Sequence, residues 1–382
     1  MSVSRGARVG LAAVIGVLLC GDLAVLRQGV AAAPPEVPPQ LAGVLPELER
    51  FVERTRGLQF RKPVRVELLE RDEFERVLSE HAEQDITAVP LIGQNQSDDP
   101  LGMFRVLGFT LPEQSEAQRE QAEGEGVVGL YSPREEALYV VGREPTPFVR
   151  RVLVHELTHA LDDQHFGLDR DDLFLHDDEQ GLAFRSLAEG DAVWVENKYV
   201  ESLPADEKAA AEKDAEAAAS DSLPELMIAL LGFPYRAGPV FVDALRAKSV
   251  GRLNAAFTHP PASSSHILEP ERYASGDTAA RLTKPQPRGP AVSRGVLGEY
   301  MLFLVLSQSL HHDVAKAAAT GWDGDRYVAW TEGAKTCFEM NVQTTTEPAN
   351  QALIGAWNQW LAVHPGGTVT GSRLFSTLSR CA

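Results

Sequence analysis

The strongest constraint on the fold is HELTH, residues 155–159, which lies in a run with helical spacing. On an α-helix, residues i and i+4 lie one above the other, so the imidazoles of His155 and His159 project to one side and can bind one ion. Thr146 is a good N-cap for this helix and Pro147 suits its first turn. The opposite face is apolar, with Val149, Leu153, Leu157, Ala160 and Leu161. The pattern predicts a packed helix that presents metal ligands to a cleft.

The residue types in this run indicate zinc chemistry. Neutral imidazoles suit Zn²⁺, and an open coordination position leaves room for a water whose pKa the metal lowers toward ~7. Glu156, next to the ion, can accept a proton from that water as general base and pass it to a leaving amine. We therefore predict a zinc-dependent hydrolase with His155 and His159 as ligands and Glu156 as the catalytic residue.

A catalytic zinc site needs a third protein ligand, and the sequence offers two. Glu189 lies in an apolar neighbourhood on a second predicted helix, where a carboxylate needs a partner. The adjacent Gly190 costs helix stability, which indicates a close approach to another part of the chain. His165 has the spacing of the third histidine in HExxHxxGxxH, with Asp162 at the glycine position. That alternative requires the helix to end at Asp162, because His165 on a continuing helix points away from His155. We favour Glu189.

The remaining pattern predicts an α+β fold. Residues 41–55 have helical spacing, and residues 63–69 alternate like a half-buried strand. Two β-rich runs, 127–131 and 137–141, predict a hairpin directly before the metal-binding helix. An edge strand in that place could bind an extended substrate by backbone pairing. Further helices are predicted over 182–200, 206–220, 223–231, 238–247 and 296–310.

The N-terminus predicts export. Two arginines precede an apolar run, residues 9–20, and small residues up to Ala33 offer a cleavage site for a signal peptidase. An uncleaved anchor is the alternative, but Asp22 interrupts the run well short of the ~20 residues that span a bilayer. Cys20 is a poor lipidation site because a leucine precedes it. We expect a secreted or cell-envelope protein.

These observations divide the chain into four predicted parts. A signal peptide (1–32) and a Pro-rich linker (33–40) precede an N-terminal α+β lobe (41–145) that ends in the edge hairpin. The active-site helix and a largely helical C-terminal lobe make up the remainder (146–382). Surface loops are predicted over 83–100 and 112–126.

Charge and cysteine content narrow the class of partner. The net charge is −18, and an acidic surface repels the phosphates of nucleic acids, so we expect a peptide or protein substrate instead. Two cysteines follow the leader, Cys337 and Cys381. An even number in an oxidising compartment permits one disulfide that ties down the C-terminal tail.

HELTHALDDQHFGL followed by SLAEGDA resembles the gluzincin clan of zinc metallopeptidases, and in particular a group of exported bacterial metallopeptidases of uncharacterised substrate. Other similar segments, which extend the resemblance over most of residues 41–332, are FVERTRGLQFRKPVRVELL, GLYSPREEALYVV, PPASSSHILEPERY and AAATGWDGDRYVAW. The resemblance implies a zincin-like fold and peptide-bond hydrolysis. It also implies that His155, His159 and Glu189 bind Zn²⁺ and that Glu156 is catalytic.

The chain departs from thermolysin-like gluzincins at one position. Those enzymes place an Asp four residues after the ligand Glu to orient a histidine, and Val193 stands there in this chain, so the orienting residue is unassigned. Asp191 would lie on the opposite helix face from Glu189, and we expect it in a structural ion pair. A peptidase also needs a donor for the oxyanion. Four residues of the similar segments stay open for that role: His266, Tyr273, Arg326 and Tyr327.

The rival hypothesis is an exported binding or structural protein that keeps zinc for stability. Glu156 separates the two, because a structural site needs the histidines but has no use for a base beside them. Closed structural sites usually carry a fourth protein ligand as well.

Overall fold

The computed structural model describes residues 15–18, 37–84, 102–109, 127–174, 178–218 and 225–382. They form a mixed structure, which confirms the α+β class. The strands are β1 (Ile15–Leu18), β2 (Arg65–Leu69), β3 (Val127–Ser132), β4 (Ala137–Val141), β5 (Ala291–Gly295), β6 (Trp322–Glu332), β7 (Lys335–Thr344), β8 (Gly367–Ser372) and β9 (Phe375–Cys381). The α-helices are α1 (Leu45–Arg56), α2 (Arg71–Gln84), α3 (Gly102–Val106), α4 (Pro147–Phe166), α5 (Asp171–Phe174), α6 (Asp178–Ser202), α7 (Ala205–Ala218), α8 (Glu225–Leu231), α9 (Phe233–Lys248), α10 (Val250–Thr258), α11 (Ser264–Leu268), α12 (Pro270–Ser275), α13 (Gly298–Ser307), α14 (His312–Ala319) and α15 (Glu347–Val363).

The chain forms two compact units. The first comprises residues 1–89, 114–172 and 185–260, and the second comprises residues 90–113, 173–184 and 261–382. The HELTH helix, α4, therefore belongs to the same unit as the N-terminal sheet. Helices α1, α6, α7, α8, α9 and α13 correspond to the predicted helices, and α9 begins five residues earlier than expected.

The first unit contains a four-stranded sheet in the order β1-β3-β4-β2. Strands β3 and β4 pair antiparallel, with Gly129 opposite Val140, and form the hairpin that the sequence predicts. Strand β2 extends the sheet by pairing with β4 in parallel. A buried cluster joins this sheet to α2, and its members are Leu69, Phe74, Val127, Leu130, Ala137 and Tyr139.

With the predicted signal peptide still in place, the hairpin does not lie at an edge of the sheet as expected, although cleavage near Ala33 would remove β1 and leave β3 at an edge. Strand β1 pairs in parallel with β3, and β2 covers β4, so both hairpin strands are internal. Parallel partners come from segments far apart in the chain, which local alternation cannot identify. Apart from Ile15–Leu18, the predicted leader lies outside the described residues. So do residues 33–36 of the linker and most of the predicted loops 83–100 and 112–126.

One run of the first unit is long and apolar enough to cross a membrane by length and composition. It is Glu225–Lys248, which contains α8 and α9. Buried core helices have the same composition, and the contacts of α9 favour that interpretation. Arg246 lies 3.7 Å from the buried carboxylate of Asp191, and its guanidinium stacks over the ring of Trp194.

Helices make up most of the predicted C-terminal lobe (146–382), but the second unit also contains a sheet that the sequence analysis did not predict. This sheet is antiparallel and five-stranded, in the order β5-β6-β7-β9-β8. Strand β6 is buried along most of its length, so its sequence lacks the alternation that marks a half-exposed strand. The sequence does contain one local signal of this sheet. It is the two-residue loop 333–334, which begins with glycine and joins β6 to β7 as a tight hairpin.

A disulfide joins Cys337 on β7 to Cys381 on β9, as the cysteine count permits. The two residues lie directly opposite each other in the strand register. The next pair, Thr336 and Ala382, exchanges both backbone hydrogen bonds. The cysteines therefore occupy a non-hydrogen-bonded pair, where side chains of adjacent strands approach most closely. The bond ties the last strand into the sheet.

Removing the disulfide should destabilise the protein. Its two cysteines are 44 residues apart, which corresponds to about 4 kcal/mol in the loop-entropy description of a cross-link. The double variant Cys337→Ser, Cys381→Ser should unfold at lower denaturant concentration than the wild type. Reductant should shift the wild type to the midpoint of the variant and leave the variant unchanged. Coincident midpoints for wild type and variant without reductant would contradict a stabilising bond.

Candidate metal centre

Helix α4 begins as the sequence predicts. The hydroxyl of Thr146 accepts a hydrogen bond from the backbone amide of Val149 at 3.2 Å, and Pro147 occupies the first turn, where its missing N–H is not needed. The helix packs against β3 and β4, and residues 152–162 are buried without exception. The polar residues of this stretch must therefore find their partners inside the protein.

His155, His159 and Glu189 converge in the first unit. Nε2 of His155 lies 3.2 Å from Nε2 of His159 and 3.2 Å from Oε2 of Glu189. Nε2 of His159 lies 3.3 Å from the same carboxylate oxygen. All three side chains are at most 1% exposed. The structure thus brings together the three residues that the sequence analysis favoured as ligands.

Helix α6, which carries Glu189, packs backbone to backbone against α9. A Cβ atom on Gly190 would lie 2.4 Å from the carbonyl carbon of Gly238. A Cβ atom on Gly238 would lie 2.1 Å from the carbonyl oxygen of Ser186. Distances this short leave no space for a side chain at either glycine. The close approach that Gly190 indicated in the sequence is confirmed, and its partner is α9.

His155 is oriented by Glu196, which lies two helical turns beyond Glu189 on the same face of α6. Oε2 of Glu196 accepts a hydrogen bond from Nδ1 of His155 at 2.9 Å, and Oε1 accepts one from Nε of Arg151. A carboxylate in this place fixes the imidazole tautomer and makes the other ring nitrogen a better ligand. The sequence analysis missed Glu196 because it looked for this carboxylate one turn earlier, at Val193.

This tautomer makes acceptor atoms face one another. In the neutral tautomer that keeps its proton on Nδ1 for Glu196, His155 presents Nε2 as an acceptor toward the carboxylate of Glu189, so a second proton or a metal ion must lie between the two. Burial would lower the pKa of His155, but the hydrogen bonds with Glu189 and Glu196 outweigh it and raise the pKa to about 10. Burial would raise the pKa of Glu189, but His159 and His155 lower it to about 2. The centre therefore attracts positive charge.

Glu156 lies where α4 meets β3. A Cβ atom on Gly129 of that strand would lie 2.7 Å from Oε1 of Glu156, so the strand passes directly over the carboxylate. Both carboxylate oxygens are buried and lack a hydrogen-bond partner of ordinary geometry among the described residues. Burial raises the pKa of Glu156 to about 7, although the two ligand histidines and the backbone of Tyr131 act to lower it. A carboxylate with this pKa can accept and release a proton near neutral pH.

Tyr235 on α9 is a residue of the centre that the sequence analysis did not select. Its hydroxyl donates a hydrogen bond to Glu189, and its ring is stacked with the imidazole of His155, with centroids 6.4 Å apart. Tyr235 is partly exposed, whereas the ligands are buried. Burial and the negative charge of Glu189 raise the pKa of Tyr235 well above its ordinary value, so the phenol stays protonated. Its place near α6 depends on the helix crossing at Gly238, which sequence periodicity does not reveal.

His165 lies apart from this group. Helix α4 continues through Asp162 to Phe166, so the chain does not make the turn that a third histidine ligand requires. Nε2 of His165 instead forms a hydrogen bond with the backbone carbonyl of Gln59 at 2.8 Å. The structure therefore brings Glu189, rather than His165, to the two ligand histidines.

Arg56 connects the two helices that carry the ligands. Nε of its fully buried guanidinium lies 2.9 Å from Asp162 on α4 and 2.5 Å from Asp191 on α6. Nη1 donates a hydrogen bond to Asn254 at 2.6 Å. The structural ion pair predicted for Asp191 is confirmed. Because breaking a buried ion pair leaves an uncompensated charge, this cluster fixes the position of α4 relative to α6.

The four residues that stayed open as oxyanion donors belong to the second unit: His266, Tyr273, Arg326 and Tyr327. His266 forms hydrogen bonds with the carbonyl of Asp277 at 3.0 Å and with the amide of Ala262 at 3.1 Å. The hydroxyl of Tyr327 forms one with Ser293 at 3.2 Å. His266 and Tyr327 therefore make structural contacts inside that unit.

Comparison with known proteins bears only on the second unit. Residues 286–378 match the model of a family described as a domain of unknown function (DUF8575). The match covers less than half of the chain, contains most of the five-stranded sheet and excludes the HELTH helix. No curated protein and no solved structure matches the chain. The chemistry of the centre is therefore inferred from its own residues.

The contact between Gly190 and Gly238 predicts opposite effects for two similar substitutions. Gly190→Ala would force α6 and α9 apart, and we expect it to destabilise the protein by about 1–3 kcal/mol, as overpacking does. Gly355→Ala is the matched control, because Gly355 lies in α15 and a Cβ atom there meets nothing within 4 Å. It should be neutral or stabilising by up to ~1 kcal/mol. Denaturant unfolding measures both, and equal effects would contradict the proposed contact.

The two alternatives for the third ligand are separated by a zinc titration. We expect Glu189→Ala to weaken zinc affinity strongly, because it removes one of three converging donor atoms. His165→Ala should bind zinc nearly as well as the wild type, since it loses only a contact with the backbone at Gln59. The reverse order would show that the chain closes the centre with His165.

Proposed function

We propose that the protein is a zinc-dependent hydrolase that cleaves peptide bonds. The observation that carries the proposal is the convergence of acceptor atoms from His155, His159 and Glu189 at 3.2–3.3 Å. Acceptors buried this close together are unfavourable unless positive charge lies between them. Tetrahedral zinc with bonds of about 2.0–2.1 Å separates its ligand atoms by about 3.3–3.4 Å. The donor set and its spacing therefore fit Zn²⁺.

The roles of the residues follow from their contacts. His155, His159 and Glu189 would hold the ion, with Glu196 fixing the tautomer of His155. A bound Zn²⁺ would supply Lewis acidity, which lowers the pKa of water and polarises a carbonyl group. Glu156 would accept a proton from the attacking water at its carboxylate, whose oxygens form no hydrogen bond of ordinary geometry with the residues that the structure describes. Its raised pKa also lets it return that proton to a leaving amine.

Several observations support a peptide as the substrate and a zincin-like fold for the first unit. HELTH and the later SLAEGDA resemble gluzincins, and the corresponding helices α4 and α6 are joined by the ligands. A sheet packs on α4, and its strand β3 passes over Glu156. Export agrees with the N-terminal sequence and with the disulfide, which is typical of oxidising compartments.

The rival hypothesis of a structural zinc site is less well supported. Structural sites usually have four protein ligands, whereas the group formed in the described part of the chain contains three. A purely structural site also gives no reason to bury Glu156 without a hydrogen-bond partner of ordinary geometry in the described part of the chain, because such burial costs free energy.

The substitution Glu156→Gln tests the proposal. An amide cannot accept the proton of water, so we expect the variant to keep about one zinc ion per chain and to lose at least 100-fold in hydrolysis, the low end for a general base. The measurements are elemental analysis and mass spectrometry of a peptide mixture incubated with each protein. Glu299→Gln is the matched control, since Glu299 is a buried glutamate of the second unit, and it should retain activity. A wild type that binds no zinc, or a Glu156→Gln variant with normal activity, would refute the proposal.

A further inference from the structure

Peptide hydrolysis requires a hydrogen-bond donor that the residues assigned so far do not supply. Negative charge develops on the oxygen of the scissile carbonyl, and a fixed donor stabilises it. Glu156, Glu189 and Glu196 are carboxylates and act as acceptors when ionised. The N–H at Nδ1 of His155 and the Nε group of Arg151 already donate to Glu196, and Nδ1 of His159 lies on the far side of its ring when Nε2 faces the ion.

Tyr235 brings a hydroxyl donor to this centre. Its hydroxyl reaches Glu189, and its ring is stacked with His155, so it contacts two of the three ligands. As a whole residue it is more exposed than any of them, while its hydroxyl is buried beside Glu189.

The position of Tyr235 is set by the backbone. It lies one helical turn before Gly238, where α9 meets α6 at Gly190. That contact is made without side chains, so the phenol and Glu189 are held by two helices that cannot approach further. With the ring held in place, only the O–H bond must turn from Glu189 toward the substrate when charge develops there.

We propose that the hydroxyl of Tyr235 donates a hydrogen bond to the carbonyl oxygen of the scissile peptide bond as negative charge develops on it. This assignment rests on the proposed hydrolase function. The water oxygen bonds to the carbonyl carbon and one of its protons passes to Glu156. When the C–N bond breaks, the nitrogen keeps the bonding electron pair and takes that proton from Glu156, while the other proton of the water stays with the new carboxyl group. Tyr235 gives up its bond to Glu189 and transfers no proton.

A positioning role is the alternative that the same contacts allow. If Tyr235 served only to orient Glu189, its loss would weaken metal binding by about 10–100-fold, as loss of an outer hydrogen bond to a ligand does. The zinc-saturated protein would then keep its turnover. A substrate-directed donor should instead lower kcat even when zinc is saturating.

The test compares Tyr235→Phe with Tyr199→Phe, which removes the same hydroxyl from a buried tyrosine of α6 that contacts Phe51. With zinc saturating, Tyr235→Phe should lower kcat by about 10²–10³-fold, as loss of one oxyanion donor does, with KM changed less than about threefold. Zinc affinity, measured by chelator competition, should fall by no more than the ~10–100-fold that loss of the hydrogen bond to Glu189 explains, so kcat is compared at saturating zinc. Tyr199→Phe should leave all three quantities unchanged.

A second readout needs no substrate. Inorganic phosphate is a tetrahedral oxyanion, and calorimetry of the zinc-loaded proteins should show that Tyr235→Phe binds it at least about tenfold more weakly than the wild type. Unchanged phosphate affinity, or a loss confined to zinc affinity with kcat preserved, would overturn the assignment. Failure of the hydrolase proposal gives a different result. Either the wild type binds no zinc, or Glu156→Gln hydrolyses peptides as fast as the wild type.

Discussion

The first unit is organised by one constraint: helix α4 is buried over residues 152–162 and yet carries charged and polar residues there. Water cannot solvate these groups, so each requires a partner from a neighbouring element or from a bound ion. Helix α6 supplies most of these partners from one face. Glu196 contacts the start of the buried stretch of α4, and Glu189 contacts its centre. Arg56 pairs with Asp162 near its end. The pairing of α4 with α6 is therefore electrostatic, and its geometry is fixed by which charges must meet.

Much of the centre could be predicted because its residues obey local rules. The i, i+4 spacing of His155 and His159 depends only on helix geometry. Glu189 was identifiable as a carboxylate in an apolar helix, and Gly190 as a residue that weakens a helix unless something packs against it. Each inference used one element at a time.

The parts that escaped prediction depend on pairs of elements. Glu196 is distinguished from other acidic residues of α6 only when α4 lies beside it. Tyr235 matters only because α9 crosses α6 at a particular residue. The five-stranded sheet of the second unit escaped because β6 is buried on both faces, which removes the alternation that local analysis relies on. The internal position of β3 and β4 likewise depends on parallel partners from distant segments.

The crossing of α6 and α9 has a consequence for how this sequence can vary. Facing residues in an ordinary core can exchange volume, so that a larger side chain on one helix is compensated by a smaller one on the other. Gly190 and Gly238 have no volume to give up, because each already meets the backbone of the opposite helix. A substitution at one position therefore has no compensating substitution at the other. We expect other positions of both helices to accept substitutions, while Gly190 and Gly238 both stay glycine.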